Sequence, residues 1–191
     1  MLDLLFVFDA YEAVSNQLTP NLRRLTPLEH DRLYDIFGDS VPYDRIRLDE
    51  RAYVGPRCHP ICYVSFHTIN SWGPIPLAIL VHEVMHVWQY VHHGACYIPR
   101  ALAGQRTVAG YDYGGQAGLT ATRHIRHFNY EQQASVVEDA YRLSRGLPTR
   151  YLHGVGKAEG QSLLQPFVQQ LRRRRLPVAY IHTDRRKHSG T

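Results

Sequence analysis

Residues 77–92 would form a helix that is apolar on nearly every side, yet His82, Glu83 and His86 sit at its centre. A helix of that kind has to be buried. Any fold the chain adopts must therefore wrap this segment and still satisfy two imidazoles and a carboxylate. Leu77, Ile79, Leu80 and Val81 lead in, and Val84, Met85, Val87 and Trp88 fill the other faces. Gly94 is the expected stop. A carboxylate in such surroundings is costly unless something pairs with it.

The spacing suggests what that something is. Histidines four residues apart on a helix lie on one face, one turn apart. Two neutral imidazoles at that separation can share one tetrahedral ion. Glu83 projects to the side, where a carboxylate can take a proton from water and return it to a leaving amine. This is the zincin pattern, and it predicts one zinc ion held by His82 and His86, with Glu83 as general base. The chain has 12 histidines, so the pattern alone could arise by chance; the apolar setting gives it weight. The rival reading makes the pair ordinary core histidines bonded to Glu83.

A catalytic zinc takes a third protein ligand and keeps one position open. Glu131, in Asn-Tyr-Glu-Gln-Gln-Ala, is the leading candidate, and Glu138 lies two helical turns beyond it. His92 stands where a metzincin carries its third histidine, but Gln89 replaces the glycine that lets such a chain leave the helix. His92 is therefore expected to point away. Asp112 is the last candidate. Tyr111, Tyr113, Arg123, His124 and His127 are candidates to stabilise a developing oxyanion. Glu138 or Asp139 could hold a ligand imidazole from behind.

Around this helix the sequence predicts an α+β, mainly helical domain with a small sheet. A helix is expected over residues 3–16, interrupted by Thr19-Pro20. Thr26-Pro27 reads as an N-cap followed by proline at the first helical position. Leu28, Leu33, Tyr34, Ile36 and Phe37 make its stripe, and Gly38 ends it. Residues 43–48 and 62–68 read as short strands. Glycines at 104, 110, 114, 115 and 118 predict loop across 94–128. Asn129 with Gln132 predicts a capping box for a helix over 130–144, ended by Gly146. A last helix is expected over 161–174, disturbed at its start by Pro166.

A chain of 191 residues suits one domain. We expect that domain over residues 1–176, with a basic tail over 177–191. The net charge of +5 gathers in two runs, Arg172 to Arg175 and Arg185 to His188. They read as a solvated helix end and a frayed terminus, so a nucleic-acid partner is not expected. Three cysteines, Cys58, Cys62 and Cys96, argue against a disulfide framework. Cys58 and Cys62 pairing with each other, or joining His59 on a metal, is the weaker reading. The opening Met-Leu-Asp-Leu-Leu-Phe-Val-Phe-Asp lacks a basic region and is broken by Asp3 and Asp9. It does not read as a signal peptide, no run is long enough to span a membrane, and the default location is cytoplasmic. Export without a signal peptide remains compatible with this.

Several stretches together resemble a bacterial family of small metallopeptidase-like proteins, the vgr-related proteins, associated with type VI secretion or Rhs loci. They are Leu25-Thr26-Pro27, Phe37-Gly38-Asp39-Ser40, Tyr43-Asp44-Arg45-Ile46-Arg47, His82-Glu83-Val84-Met85-His86-Val87-Trp88-Gln89, Tyr111-Asp112-Tyr113 and Tyr130-Glu131-Gln132-Gln133-Ala134. The resemblance covers roughly residues 25–140 and implies a compact gluzincin-like fold. It implies His82, His86 and Glu131 as zinc ligands and Glu83 as catalytic base. The expected substrate is a peptide, protein or peptidoglycan, and a secretion-system partner is expected. The alternative is a non-catalytic zinc domain acting as an interaction module of such a system. Its last fifty or so residues match no pattern, and fold alone does not assign a substrate.

Overall fold

The structure is a computed structural model that describes residues 22–52, 62–94 and 110–181. Four short strands and six helices are built from these residues. In chain order they are β1 (Leu22–Arg23), α1 (Pro27–Phe37), β2 (Arg47–Asp49), β3 (Tyr63–Ser65), β4 (Thr68–Asn70), α2 (Leu77–His93), α3 (Gly115–Ala121), α4 (Tyr130–Ser144), α5 (Lys157–Arg172) and α6 (Val178–Ile181). Single 3-10 turns follow α1 at Gly38–Ser40 and precede α4 at Ile125–His127. The domain is thus α+β and mainly helical, with a small mixed sheet. The expected helix over 3–16 lies outside the described residues.

Local chemistry sets the helix ends. Thr26 Oγ1 accepts from Glu29 N–H at 3.2 Å, and Glu29 Oε2 accepts from Thr26 N–H at 2.7 Å. This closes a capping box at the start of α1. Asn129 and Gln132 do the same for α4, at 2.8 and 2.9 Å. Gly94, at φ 74°, returns its N–H to the Tyr90 carbonyl at 2.8 Å and stops α2. The buried stretch of α2 runs unbroken from Leu80 to Val91.

The sheet has the order β1-β2-β4-β3, with β2 and β4 parallel and both outer pairings antiparallel. Leu48 sits opposite Ile69, and both are fully buried. The expected strand over 43–48 is only Arg47–Asp49, because Tyr43 to Ile46 forms a turn closed by Ile46 N–H on the Tyr43 carbonyl. The expected strand over 62–68 is instead a hairpin, β3 to β4. Phe66, at φ 56°, makes the reversal. Alternation along a short apolar stretch does not reveal where it folds back.

The glycine-rich segment expected as loop contains α3. Gly118 explains part of this. A Cβ there would lie 1.8 Å from the Tyr113 carbonyl oxygen, so only glycine allows that close approach. The last long helix begins at Lys157, earlier than its apolar stripe suggests, and runs through Pro166. The first arginine of the basic run is not simply solvated. Arg172 donates to the carbonyls of Tyr34 and Asp35, at 3.1 and 2.6 Å, in the last turn of α1. The stretch expected as a tail opens with α6, whose Tyr180 ring packs on His67 and lies under Arg45.

The core joins Leu33, Phe37, Leu48, Ile69, Leu80, Val84, Met85, Val136, Val137, Leu164 and Leu171. The most extensive helix contact is α2 along α4, and α5 also packs against α4. That arrangement carries the start of α4 to the polar face of α2. No helix among the described residues is long and apolar enough to cross a membrane.

Candidate metal centre

His82 and His86 emerge from one face of α2, with ring centroids 5.2 Å apart and ring planes at 76°. The capped first turn of α4 brings Glu131 between them. Glu131 Oε2 lies 3.4 Å from His82 Nε2 and 3.4 Å from His86 Nε2. All three donor atoms fall within 4.8 Å of one another, and all three residues are buried. Donors about 2.0–2.1 Å from one tetrahedral ion stand about 3.3–3.4 Å apart, so the two measured separations suit a zinc-sized ion. The donor set, two imidazoles and a carboxylate, is also one that zinc accepts. The cluster can thus hold one metal ion.

The outer nitrogens support that reading. Glu138 Oε2 lies 3.2 Å from His82 Nδ1, and Gln89 Oε1 lies 2.8 Å from His86 Nδ1. Both nitrogens that face away from the cluster thus meet acceptors, which leaves both Nε2 atoms directed at Glu131. Glu138 is fully buried and is held in turn by Arg142 Nε at 2.8 Å and Arg150 at 3.4 Å.

Charge follows this geometry. Burial alone would lower the His82 pKa, but Glu131 and Glu138 outweigh it and push it up to about 9. Burial would raise the Glu131 carboxyl, yet His82 and His86 hold it well below the ordinary carboxylate range. Glu138 is held down against burial by His82, Arg142 and Arg150. Glu83 is the contrast. Burial pushes its pKa up, with His82 and His86 opposing. Among the described residues no side chain or backbone group hydrogen-bonds to the Glu83 carboxylate, although the residue is only 7% exposed.

The other candidate residues divide cleanly. The Tyr111 ring lies 5.9 Å from that of His82. Burial and the charges of Glu131 and Glu83 push its phenol up to about 12, so it stays a donor at neutral pH. Tyr113 is turned elsewhere and donates to Asp139 Oδ2 at 2.7 Å. Asp139 also accepts from the backbone N–H of Arg150 and Tyr151, at 2.6 and 2.9 Å. It anchors a loop and does not back a ligand imidazole. His127 is exposed and pairs with Thr122 Oγ1 at 2.6 Å. His124 is exposed beside it, and the Arg123 carbonyl accepts from Gln170 at 2.8 Å. His92 continues along α2 and donates to the Ser40 carbonyl at 2.9 Å. Asp112 is exposed and caps Gly114 N–H at 2.8 Å.

Cys62 is a free, half-buried thiol, pushed up to about 11 by burial and by the charge of Glu83. Cys58 and His59, its suggested partners, lie outside the described residues. Gln89 is the residue that reading by motif underrates. In the sequence it only marks the absence of a glycine. Its signal was a polar residue three positions past a ligand histidine, on the same face of a buried helix.

Comparison with known proteins adds one relative. The chain is 26% identical over 121 residues to the type VI secretion system spike protein VgrG2b of Pseudomonas aeruginosa. The match covers 56% of this chain and 12% of that protein, so the chain corresponds to a small part of its relative. No protein-family model matches the chain. No solved structure matches it either.

Proposed function

We propose that this chain is a zinc-dependent metallopeptidase of gluzincin type, hydrolysing peptide bonds with His82, His86 and Glu131 as ligands and Glu83 as general base. The observation that carries the reading is the convergence of two Nε2 atoms on Glu131 Oε2 at 3.4 Å, beside a buried carboxylate with no hydrogen-bond donor among the described residues. A structural zinc site has no use for that fourth group. An ion held there would act as a Lewis acid, polarising a peptide carbonyl and acidifying water. Glu83 takes the proton of the attacking water and passes it to the leaving nitrogen. Burial raises its pKa, which favours returning the proton that it takes. Tyr111, whose ring lies 5.9 Å from that of His82 and whose phenol stays protonated up to about 12, would donate to a developing oxyanion. Glu138 keeps His82 oriented through Nδ1.

The distant similarity to part of a type VI secretion spike protein supports an association of this chain with such a system. A peptide, protein or peptidoglycan substrate is in keeping with both the chemistry and that association. The test is Glu83→Gln. Zinc content, measured by atomic emission, should stay at one ion per chain. Cleavage of an unfolded protein or a peptidoglycan peptide should fall about 10²–10⁴-fold. Cleavage at the parental rate, or absence of zinc from the parent after incubation with the metal, would overturn the proposal.

A further inference from the structure

We infer that Gln89 is a positioning residue that keeps the proton of His86 on Nδ1, so that Nε2 presents a bare lone pair to the metal. The inference rests on the zinc reading for its purpose, but not for its geometry. An amide side chain can be turned either way, so its neighbours have to decide. Gln89 Nε2 lies 2.9 Å from the Tyr130 carbonyl oxygen, which can only accept. The amino group must therefore face Tyr130, and Oε1 must face His86 Nδ1, 2.8 Å away. Oε1 can only accept, so Nδ1 must be the donor.

A second amide reinforces the first. Gln133 Nε2 donates to the Phe128 carbonyl at 2.9 Å, which turns Gln133 Oε1 toward Gln89 Nε2 at 3.2 Å. Two backbone carbonyls around the start of α4 thus orient two glutamines, and the glutamines orient one imidazole. Gln89 is fully buried and Gln133 is 5% exposed, so water is poorly placed to substitute for either. In water, neutral imidazole prefers its proton on Nε2, and here that proton would point at Glu131 and occupy the place of the ion. The same helix turn that supplies Glu131 therefore also sets the tautomer of the ligand opposite it.

The test uses the full chain with 15N-labelled histidine, metal-free and after adding zinc chloride. NMR of the parent should show the His86 proton on Nδ1 in both states. A parent whose His86 Nδ1 is bare overturns the inference, whether or not zinc binds. Zinc affinity by chelator competition then compares Gln89→Leu, which removes the acceptor, with Gln89→Glu, which keeps one. Gln89→Leu should lose about 10–100-fold, and its metal-free His86 proton should move to Nε2, while Gln89→Glu should stay within about tenfold of the parent. A folded Gln89→Leu that binds zinc as tightly as the parent overturns the inference and leaves the zinc reading standing. Equal losses in both variants also overturn it, since acceptance at Nδ1 would then not be the cause. A Gln89→Leu chain that fails to fold leaves the parent spectrum to decide.

Discussion

His82 and His86 approach one acid from one helix, but what stands behind them differs. Behind His82 is a carboxylate, Glu138, fully buried and tied to Arg142 and Arg150. Behind His86 is a neutral amide, Gln89, tied through Gln133 and Tyr130 to the backbone. The charged support raises the basicity of its imidazole and is itself tuned by arginines that reach solvent. The neutral support sets a tautomer without adding charge. Two histidines one helical turn apart are thus held by different physics, one electrostatic and one directional.

Removing what both histidines share should have the largest effect. Glu131→Ala should lower zinc affinity by more than about 100-fold, beyond the range seen when an outer partner of a ligand is lost. Calorimetry would check this, and a variant that binds like the parent would break the picture of one common acid. Next, Glu138→Gln keeps an acceptor for His82 and discards its charge. Zinc affinity should fall about tenfold. The metal-free protein should lose roughly 3 kcal/mol in denaturant unfolding, because Arg142 loses a buried partner. If Glu138→Gln and Gln89→Leu proved indistinguishable in both measurements, the contrast between the two supports would disappear.

The pH response of the unmodified protein sharpens the same contrast. The His82 pKa is raised from its ordinary 6.5 to about 9. Its contribution to metal-free stability is therefore full below pH 6.5 and is lost as pH rises toward 9. With zinc the sign reverses, because the ion needs His82 Nε2 without its proton, so affinity should climb over the same interval. Thermal melts with and without zinc at pH 6.5, 8 and 9 would show the two trends crossing. The smallest effect belongs to Arg150, whose side chain is 42% exposed and 3.4 Å from Glu138. Arg150→Ala should change stability by less than about 1 kcal/mol. Asp139→Asn, one residue along from Glu138, is the useful control. It should loosen the loop at Arg150 and Tyr151 and leave zinc affinity unchanged.

Much of the frame was legible from residues close together in the chain. The spacing of His82 and His86, the stop at Gly94, the N-cap at Thr26 and the capping box at Asn129 are all interactions within about one helical turn. A sequence displays those directly. The strands were less legible, since the reversal at Phe66 depends on how β3 meets β4 and leaves little mark on a short apolar run. The sequence could nominate Glu131, Glu138, His92 and Asp112 as the acid or base that completes the site, and Glu138 and Asp139 as its support. It put Glu131 first among these and set His92 aside, but it could not separate Glu138 from Asp139 as the support.

By itself, then, the sequence determined that a buried helix would present two imidazoles one turn apart with a carboxylate to their side, and where that helix would end. Only the tertiary structure decided that Glu131 meets them, that Glu138 and Gln89 stand behind them, and that Asp139 and Tyr113 serve each other instead. The physical reason is range. Helical periodicity and capping act over a few residues, whereas the meeting of α2 and α4 is set by packing between segments some forty residues apart, where a quarter-turn of one helix would exchange Glu131 for a neighbour.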